Sequence, residues 1–146
     1  MKFLIDTNVI SAISPLNTAR PEWIGERLQR VSKDLCISTI TVVEIRDGIA
    51  RATRAGATNK AAQLRQWWDA VERLYGHRVL SFDLEAAKIA GAMCDQARAM
   101  GQAPGLADIA IAATAKAQGL IVLTRNLKHF AGLGVEIIDP FTTPLE

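Results

Sequence analysis

Short apolar runs separated by long helix-patterned stretches set the strongest limit on how this chain can fold. Phe3-Leu4-Ile5, Leu35-Cys36-Ile37-Ser38, Val79-Leu80-Ser81-Phe82, Leu120 to Leu123, and Val135-Glu136-Ile137-Ile138 each read as a short strand bounded by polar or turn residues. Helical patterns fill the gaps. A short turn through Val9, Ile10 and Ile13 stops at Pro15. A helix from Glu22 to about Val31 starts after Pro21, and another begins near Thr39 or Thr41 and ends at Ala55-Gly56. A fourth runs from about Thr58 to Tyr75 before Gly76, and a fifth from an Asp83 cap to about Met100. An alanine-rich helix spans Leu106 to Gln118, and Asn126 caps a last short one ending near Gly132.

Two strands joined through a helix pair in parallel, because the crossover returns the chain to the same end of the sheet. The expected class is therefore α/β, a three-layer α/β/α arrangement with a short, mostly parallel central sheet. Residues 1–146 are expected to form one domain, with Pro140 and Pro144 ending the folded part. A hydrophobic content of 49% excludes a disordered chain, and a net charge of +2 neither announces nor opposes nucleic-acid binding. Cys36 and Cys94 each sit in apolar surroundings without a CxxC spacing, so buried thiols are expected rather than a zinc site. The apolar stretch Leu106 to Leu123 is broken by Asp108, Lys116 and Gln118, which argues against a membrane span and for a cytoplasmic protein.

Three acids interrupt apolar patterns. Asp6 follows the first strand, at the carboxyl edge where open α/β sheets bind ligands. It also suits a helix N-cap. Glu44 lies among Ile40, Val42, Val43 and Ile45, where partial burial and a partner such as Arg46 are expected. Asp108 shares a helix face with Ile111, Ala112 and Ala115, and lies in the first turn, where the helix dipole favours negative charge. Converging carboxylates without histidine or cysteine suit a hard cation such as Mg²⁺ or Mn²⁺. Such an ion supplies the Lewis acidity and low-pKa water that phosphodiester hydrolysis requires. No Gly-rich phosphate loop is present.

Four segments then resemble, in order, the motifs of PIN-domain nucleases: Leu4-Ile5-Asp6-Thr7-Asn8-Val9-Ile10-Ser11, Ser38-Thr39-Ile40-Thr41-Val42-Val43-Glu44-Ile45, Ala107-Asp108-Ile109-Ala110-Ile111-Ala112-Ala113-Thr114-Ala115, and Leu123-Thr124-Arg125-Asn126-Leu127-Lys128-His129-Phe130. The spacing matches best the VapC/FitB-type toxins of toxin–antitoxin pairs. The resemblance implies a PIN-like fold and an Mg²⁺- or Mn²⁺-dependent ribonuclease leaving 5′-phosphate ends. Asp6, Glu44 and Asp108 would be the catalytic metal ligands. It also implies a homodimer and an antitoxin whose tail covers the site. The fourth motif commonly carries an Asp where this chain has His129. Asn8, Thr124, Asn126 and His129 are therefore candidates to complete or orient the ligand set.

On that reading Arg46, Arg51, Arg54, Lys60, Arg125 and Lys128 are candidate RNA contacts. Scarce aromatics favour a folded RNA such as tRNA over a sequence-read single strand. Leu64, Trp67, Trp68, Val71, Leu74 and Tyr75 form an apolar band on the fourth helix. Two adjacent tryptophans point about 100° apart on a helix, so Trp67 and Trp68 are candidate partner contacts. Competing readings are an RNA-processing nuclease without an antitoxin and a non-catalytic PIN-like binding module.

Overall fold

The computed structural model describes residues 1–146. Five strands form one parallel sheet: β1 (Phe3–Ile5), β2 (Leu35–Ser38), β3 (Val79–Leu80), β4 (Ile121–Leu123) and β5 (Ile137–Ile138), in the spatial order β3-β2-β1-β4-β5. The helices are α1 (Thr7–Ala12), α2 (Trp23–Arg30), α3 (Thr39–Arg54), α4 (Thr58–Tyr75), α5 (Leu84–Ala99), α6 (Leu106–Gln118) and α7 (Leu127–Phe130).

Strand alternation builds the layers. Leu4, Cys36 and Val122 turn to one face and pack with Ala90 and Met93 of α5, Ile111 and Ala112 of α6, and Phe130. Phe3, Ile5, Ile37 and Leu123 turn to the other and meet Val9 and Ile10 of α1, Ile24 and Leu28 of α2, Ile49 of α3 and Trp68 of α4. Small alanines on α6 let that helix lie close to the sheet, and its residues Ile109 to Ala115 are all buried. Gly119 ends α6 at φ 67°, a left-handed conformation that disfavours a side chain.

β1 sits at the centre, paired with β2 through Phe3↔Leu35 and with β4 through Ile5↔Leu123. Its carboxyl end therefore opens between two neighbouring strand ends. Local capping aims the chain there. Asp6 is the N-cap of α1, and the Ser38 hydroxyl accepts from the Ile40 amide to start α3. Asp83 caps α5 in the same way, accepting from the Ala86 amide.

Several expectations need correction. Strands β3 and β5 are shorter than their apolar runs, because they lie at the sheet edges and pair on one side only. The chain does not leave the fold at Pro140. Pro140 is buried, Phe141 and Leu145 pack against the α1–α4 side of the core, and the Lys2 ammonium donates to the Glu146 carbonyl. Asn126 precedes α7 but its side chain makes no capping bond. Trp68 is not a partner surface. It is fully buried beside Ile37 and Ile49, with its indole N–H unpaired, while Trp67 is half-buried and Leu74 points outward. Cys36 is buried and Cys94 half-buried, and burial pushes the Cys36 thiol up. No helix is long and apolar enough to cross a membrane.

Filling the core with an indole makes Trp68 a stability residue. Trp68→Ala is expected to lower the unfolding free energy by about 3–5 kcal/mol, measured by urea denaturation, and Trp67→Ala to cost clearly less. Equal losses at the two positions would contradict the burial difference.

Candidate active site

Asp6, Glu44 and Asp108 arrive from three separate elements. Asp6 leaves the end of β1, Glu44 projects from the second turn of α3, and Asp108 lies in the first turn of α6. All three line one cleft of about 460 Å³ together with Thr7, Asn8, Ser11, Ala12, Asn17, Arg125 and Asn126. Ala12 is its one hydrophobic lining residue.

Asp6 is the most constrained of the acids. Only 4% of its surface is exposed. One carboxylate oxygen accepts from the Thr7 amide at 2.8 Å and the other from the Thr124 hydroxyl at 2.9 Å. The two roles read from the sequence, helix cap and cleft acid, are therefore filled by the same side chain. Burial raises the Asp6 pKa from 3.8 to about 6. The two hydrogen bonds oppose that rise, and the nearby charges of Asp108 and Glu44 add to it.

Thr124 is fully buried and uses its hydroxyl completely: it donates to Asp6 and accepts from the Asn8 side-chain amide at 3.3 Å and the Asn126 backbone amide at 3.0 Å. The Asn8 carbonyl oxygen accepts from the Arg125 backbone amide at 3.2 Å. Asn8 and Thr124 thus lock the β1 and β4 ends together and fix the Asp6 carboxylate, while Asn126 also faces the cleft.

Glu44 is exposed rather than partly buried, because α3 turns Val43 and Glu44 outward and buries Thr41 and Ile49 instead. Its partner is not Arg46. The Thr7 hydroxyl donates to Glu44 Oε1 at 2.7 Å and lies 3.0 Å from the Thr41 hydroxyl, so Thr41 donates to Thr7. The sequence reading missed this Thr41–Thr7–Glu44 chain. The only available signal was that Thr7 directly follows Asp6. Asp108 is half-buried, and its Oδ2 lies 3.1 Å from His129 Nδ1. His129 thus stands against Asp108 instead of facing Asp6 or Glu44.

Arg46 is corrected as an RNA contact. Its guanidinium reaches α4, 2.7 Å from Asp69 and 2.8 Å from Glu72, and those carboxylates hold it charged and occupied. Arg51 is exposed and pairs with Asp47 at 3.1 Å. Together with Lys60 it borders a larger groove of about 790 Å³ that shares Thr7, Ser11, Asn17 and Glu44 with the cleft and continues past Ile45, Leu64 and Trp67. Arg125 lines the cleft itself, and Lys128 is exposed on α7.

No three acidic, histidine or cysteine side chains close tightly enough to grip an ion as they stand. Glu44 is turned to Thr7 and Asp108 to His129, as repulsion among like charges favours. The donor set nevertheless fits a hard divalent cation: three carboxylates with amide and hydroxyl oxygens, in a cleft where burial, and to a lesser degree the neighbouring acids, makes the charge on Asp6 costly.

Known proteins resemble this chain in sequence and in fold. The PIN-domain family model matches residues 3–134. VapC ribonuclease Y4jK of Sinorhizobium fredii is 38% identical over 140 residues, spanning 94% of this chain and 96% of the relative. The tRNA(fMet)-specific endonuclease VapC of Salmonella typhimurium is 31% identical over 95% of this chain and 98% of its own length. Toxin FitB of Neisseria gonorrhoeae is 32% identical over 94% of this chain and 97% of its own length. The crystal structure of FitAcB from the same organism superposes with a TM-score of 0.77 at 32% identity, covering 97% of this chain and 99% of that one.

Asp6 binds its proton more tightly folded than unfolded. That contribution to stability is present below about pH 4 and is lost as the pH rises through about 6. In the presence of a chelator, Asp6→Asn is expected to be more stable than the wild type at pH 7.5, by up to about 3 kcal/mol. The gap should close near pH 4. Denaturant titrations at the two pH values measure this, and a pH-independent gap would remove the electrostatic account.

Proposed function

This chain belongs to the PIN-domain family, and on that footing we propose that it is a divalent-metal-dependent endoribonuclease acting as the toxin of a toxin–antitoxin pair. The observation that carries the reading is the single polar cleft lined by Asp6, Glu44 and Asp108, which reach it from three distant parts of the sequence. We assign the catalytic and metal-binding roles to these three acids and name Mg²⁺ or Mn²⁺ as the ion, since hard oxygen donors predominate. The whole of residues 1–146 works as one nuclease domain, a reading supported by the packing of the C-terminal segment into the core.

When bound, such an ion supplies Lewis acidity and a water of lowered pKa for phosphodiester hydrolysis, with 5′-phosphate ends as the expected products. The chain's own residues prepare that chemistry. Thr7 and Thr124 hold both oxygens of Asp6 in one orientation, so little reorganisation accompanies ligation. Thr41 and Thr7 steer Glu44 toward the same opening. His129 occupies the position where the fourth motif commonly has an Asp, and we give it the role of orienting Asp108. We assign contacts with the RNA backbone to Arg125, which lines the cleft, and to Lys128, exposed on α7; Arg51 and Lys60 border the adjoining groove. The substrate class we favour is tRNA, supported by kinship to a tRNA-specific endonuclease.

The groove that opens from the cleft past Ile45, Leu64 and Trp67 is our candidate for the antitoxin tail. A peptide lying there would pass Glu44 and block access to the acids. Family kinship also implies a homodimer and a cytoplasmic setting, which we adopt.

Purified wild-type protein should cut RNA with Mn²⁺ or Mg²⁺ and stop on chelation. Asp6→Asn, Glu44→Gln and Asp108→Asn should each lose at least about 100-fold, and Thr124→Ala about 10- to 100-fold. Denaturing gels of end-labelled tRNA measure this. Undiminished cutting by Asp6→Asn would remove the assignment. Trp67→Ala should weaken binding of the co-expressed antitoxin by about 30-fold or more, the loss of one interface hot spot, with little change in melting temperature. Calorimetry that finds equal affinity would move the partner elsewhere.

A further inference from the structure

The C-terminal segment lies beyond the residues that the family model matches, yet it touches Arg125, a residue that lines the cleft. Parallel pairing of Leu123 with Ile138 brings the ends of β4 and β5 out side by side. Arg125 follows one strand and Phe141 the other, and the Arg125 guanidinium lies 4.3 Å from the centre of the Phe141 ring. The ring is itself fixed. The Phe141 amide donates to the Asp139 carboxylate at 2.9 Å, and the ring meets Trp23 edge-on at 6.3 Å between centroids. On the far side, Arg27 stacks over Trp23 at 4.3 Å and donates to the carbonyls of Pro140 and Thr143. The result is a row Arg27–Trp23–Phe141–Arg125 that begins on α2 and ends at the cleft.

Arg125 forms no ion pair within 4 Å and lines the same cleft as the three acids. The exposed side chain has the ring as its one protein partner, which leaves its N–H donors available. A free arginine side chain samples many rotamers, and holding one in place removes an ordering cost from ligand binding. We propose that Phe141 is a positioning residue that makes Arg125 a preset binding group for a phosphate of the RNA strand at the cleft mouth. The C-terminal segment then belongs to the substrate-binding machinery. This rests on the nuclease reading above, but its test does not depend on cleavage.

The probe is a fluorescein-labelled single-stranded RNA 20-mer of mixed sequence. Its binding by the full chain carrying Asp6→Asn is followed by anisotropy across a salt series. Phe141→Leu keeps apolar bulk but removes the π face; it should weaken binding about two- to five-fold, the worth of an exposed cation–π contact. Phe141→Tyr should restore it. Arg125→Ala should weaken binding further and lower the slope of log affinity against log salt by about 0.7, one single-strand phosphate contact. In the Arg125→Ala background Phe141→Leu should have no further effect. Should Phe141→Leu melt early, Phe141→Met takes its place with the same readouts. Equal affinity for the Leu and Phe forms, or an unchanged Phe141→Leu effect without Arg125, overturns the proposal. If binding follows this pattern yet the wild-type chain, with Asp6 intact, cuts no RNA with Mg²⁺ or Mn²⁺, that would instead count against the nuclease reading alone.

Discussion

The burial of one carboxylate organises this molecule. Asp6 sits at the end of the central strand, almost without solvent, and every feature around it answers the cost of placing a charge there. The Thr7 amide and the Thr124 hydroxyl each offer it a hydrogen bond, and Thr124 is held in turn by Asn8 and Asn126. These bonds lower the cost without removing it, since the pKa stays raised to about 6 with Glu44 and Asp108 close by. On the metal-dependent reading, a cation in the cleft would turn this electrostatic tension into binding energy. The same unfavourable placement that weakens the fold would then favour a bound cation, a trade seen where function and stability compete.

The sheet makes this possible. Parallel pairing brings all strand ends to one edge, so residues far apart in sequence meet without any long loop. Helices α3 and α6 then supply Glu44 and Asp108 from their early turns, where their own burial is smaller. The edge strand β5 adds a contribution of a different kind. By pairing with β4 it carries the C-terminal segment alongside Arg125, and the aromatic–arginine row ties that segment to α2. One polar cleft and one basic rim are thus built from the same strand edge. The larger groove past Trp67 offers a second surface that shares Glu44 with the cleft, so a partner seated there would compete for access to the acids.

Much of this was legible in the residues. The spans Leu35–Ser38, Thr58–Tyr75 and Leu106–Gln118 follow directly from apolar periodicity and from glycine or serine punctuation. Asp83 announced itself as a cap by standing before an amphipathic run. Local signals of this kind act within a few residues, so they survive into the fold. Glu44 shows the limit. Its β-branched neighbours suggested burial, but helix geometry turns it outward and buries Thr41 instead. Arg46 shows the same limit for charge. Nothing near it in sequence marks Asp69 and Glu72 as its partners, because they lie on a different helix packed across from α3.

The sequence by itself determined the alternation of strands and helices, and so the parallel sheet, the edge where function gathers, and the identity of the acids that interrupt apolar patterns. These follow from periodicity and burial cost, which depend on neighbours along the chain. The tertiary structure alone decided that Trp68 is core while Trp67 faces a groove, that Thr7 serves Glu44, and that the tail beyond Pro140 returns to hold Arg125. Those outcomes depend on which surfaces meet when layers pack, a choice made by volume and shape across the whole fold.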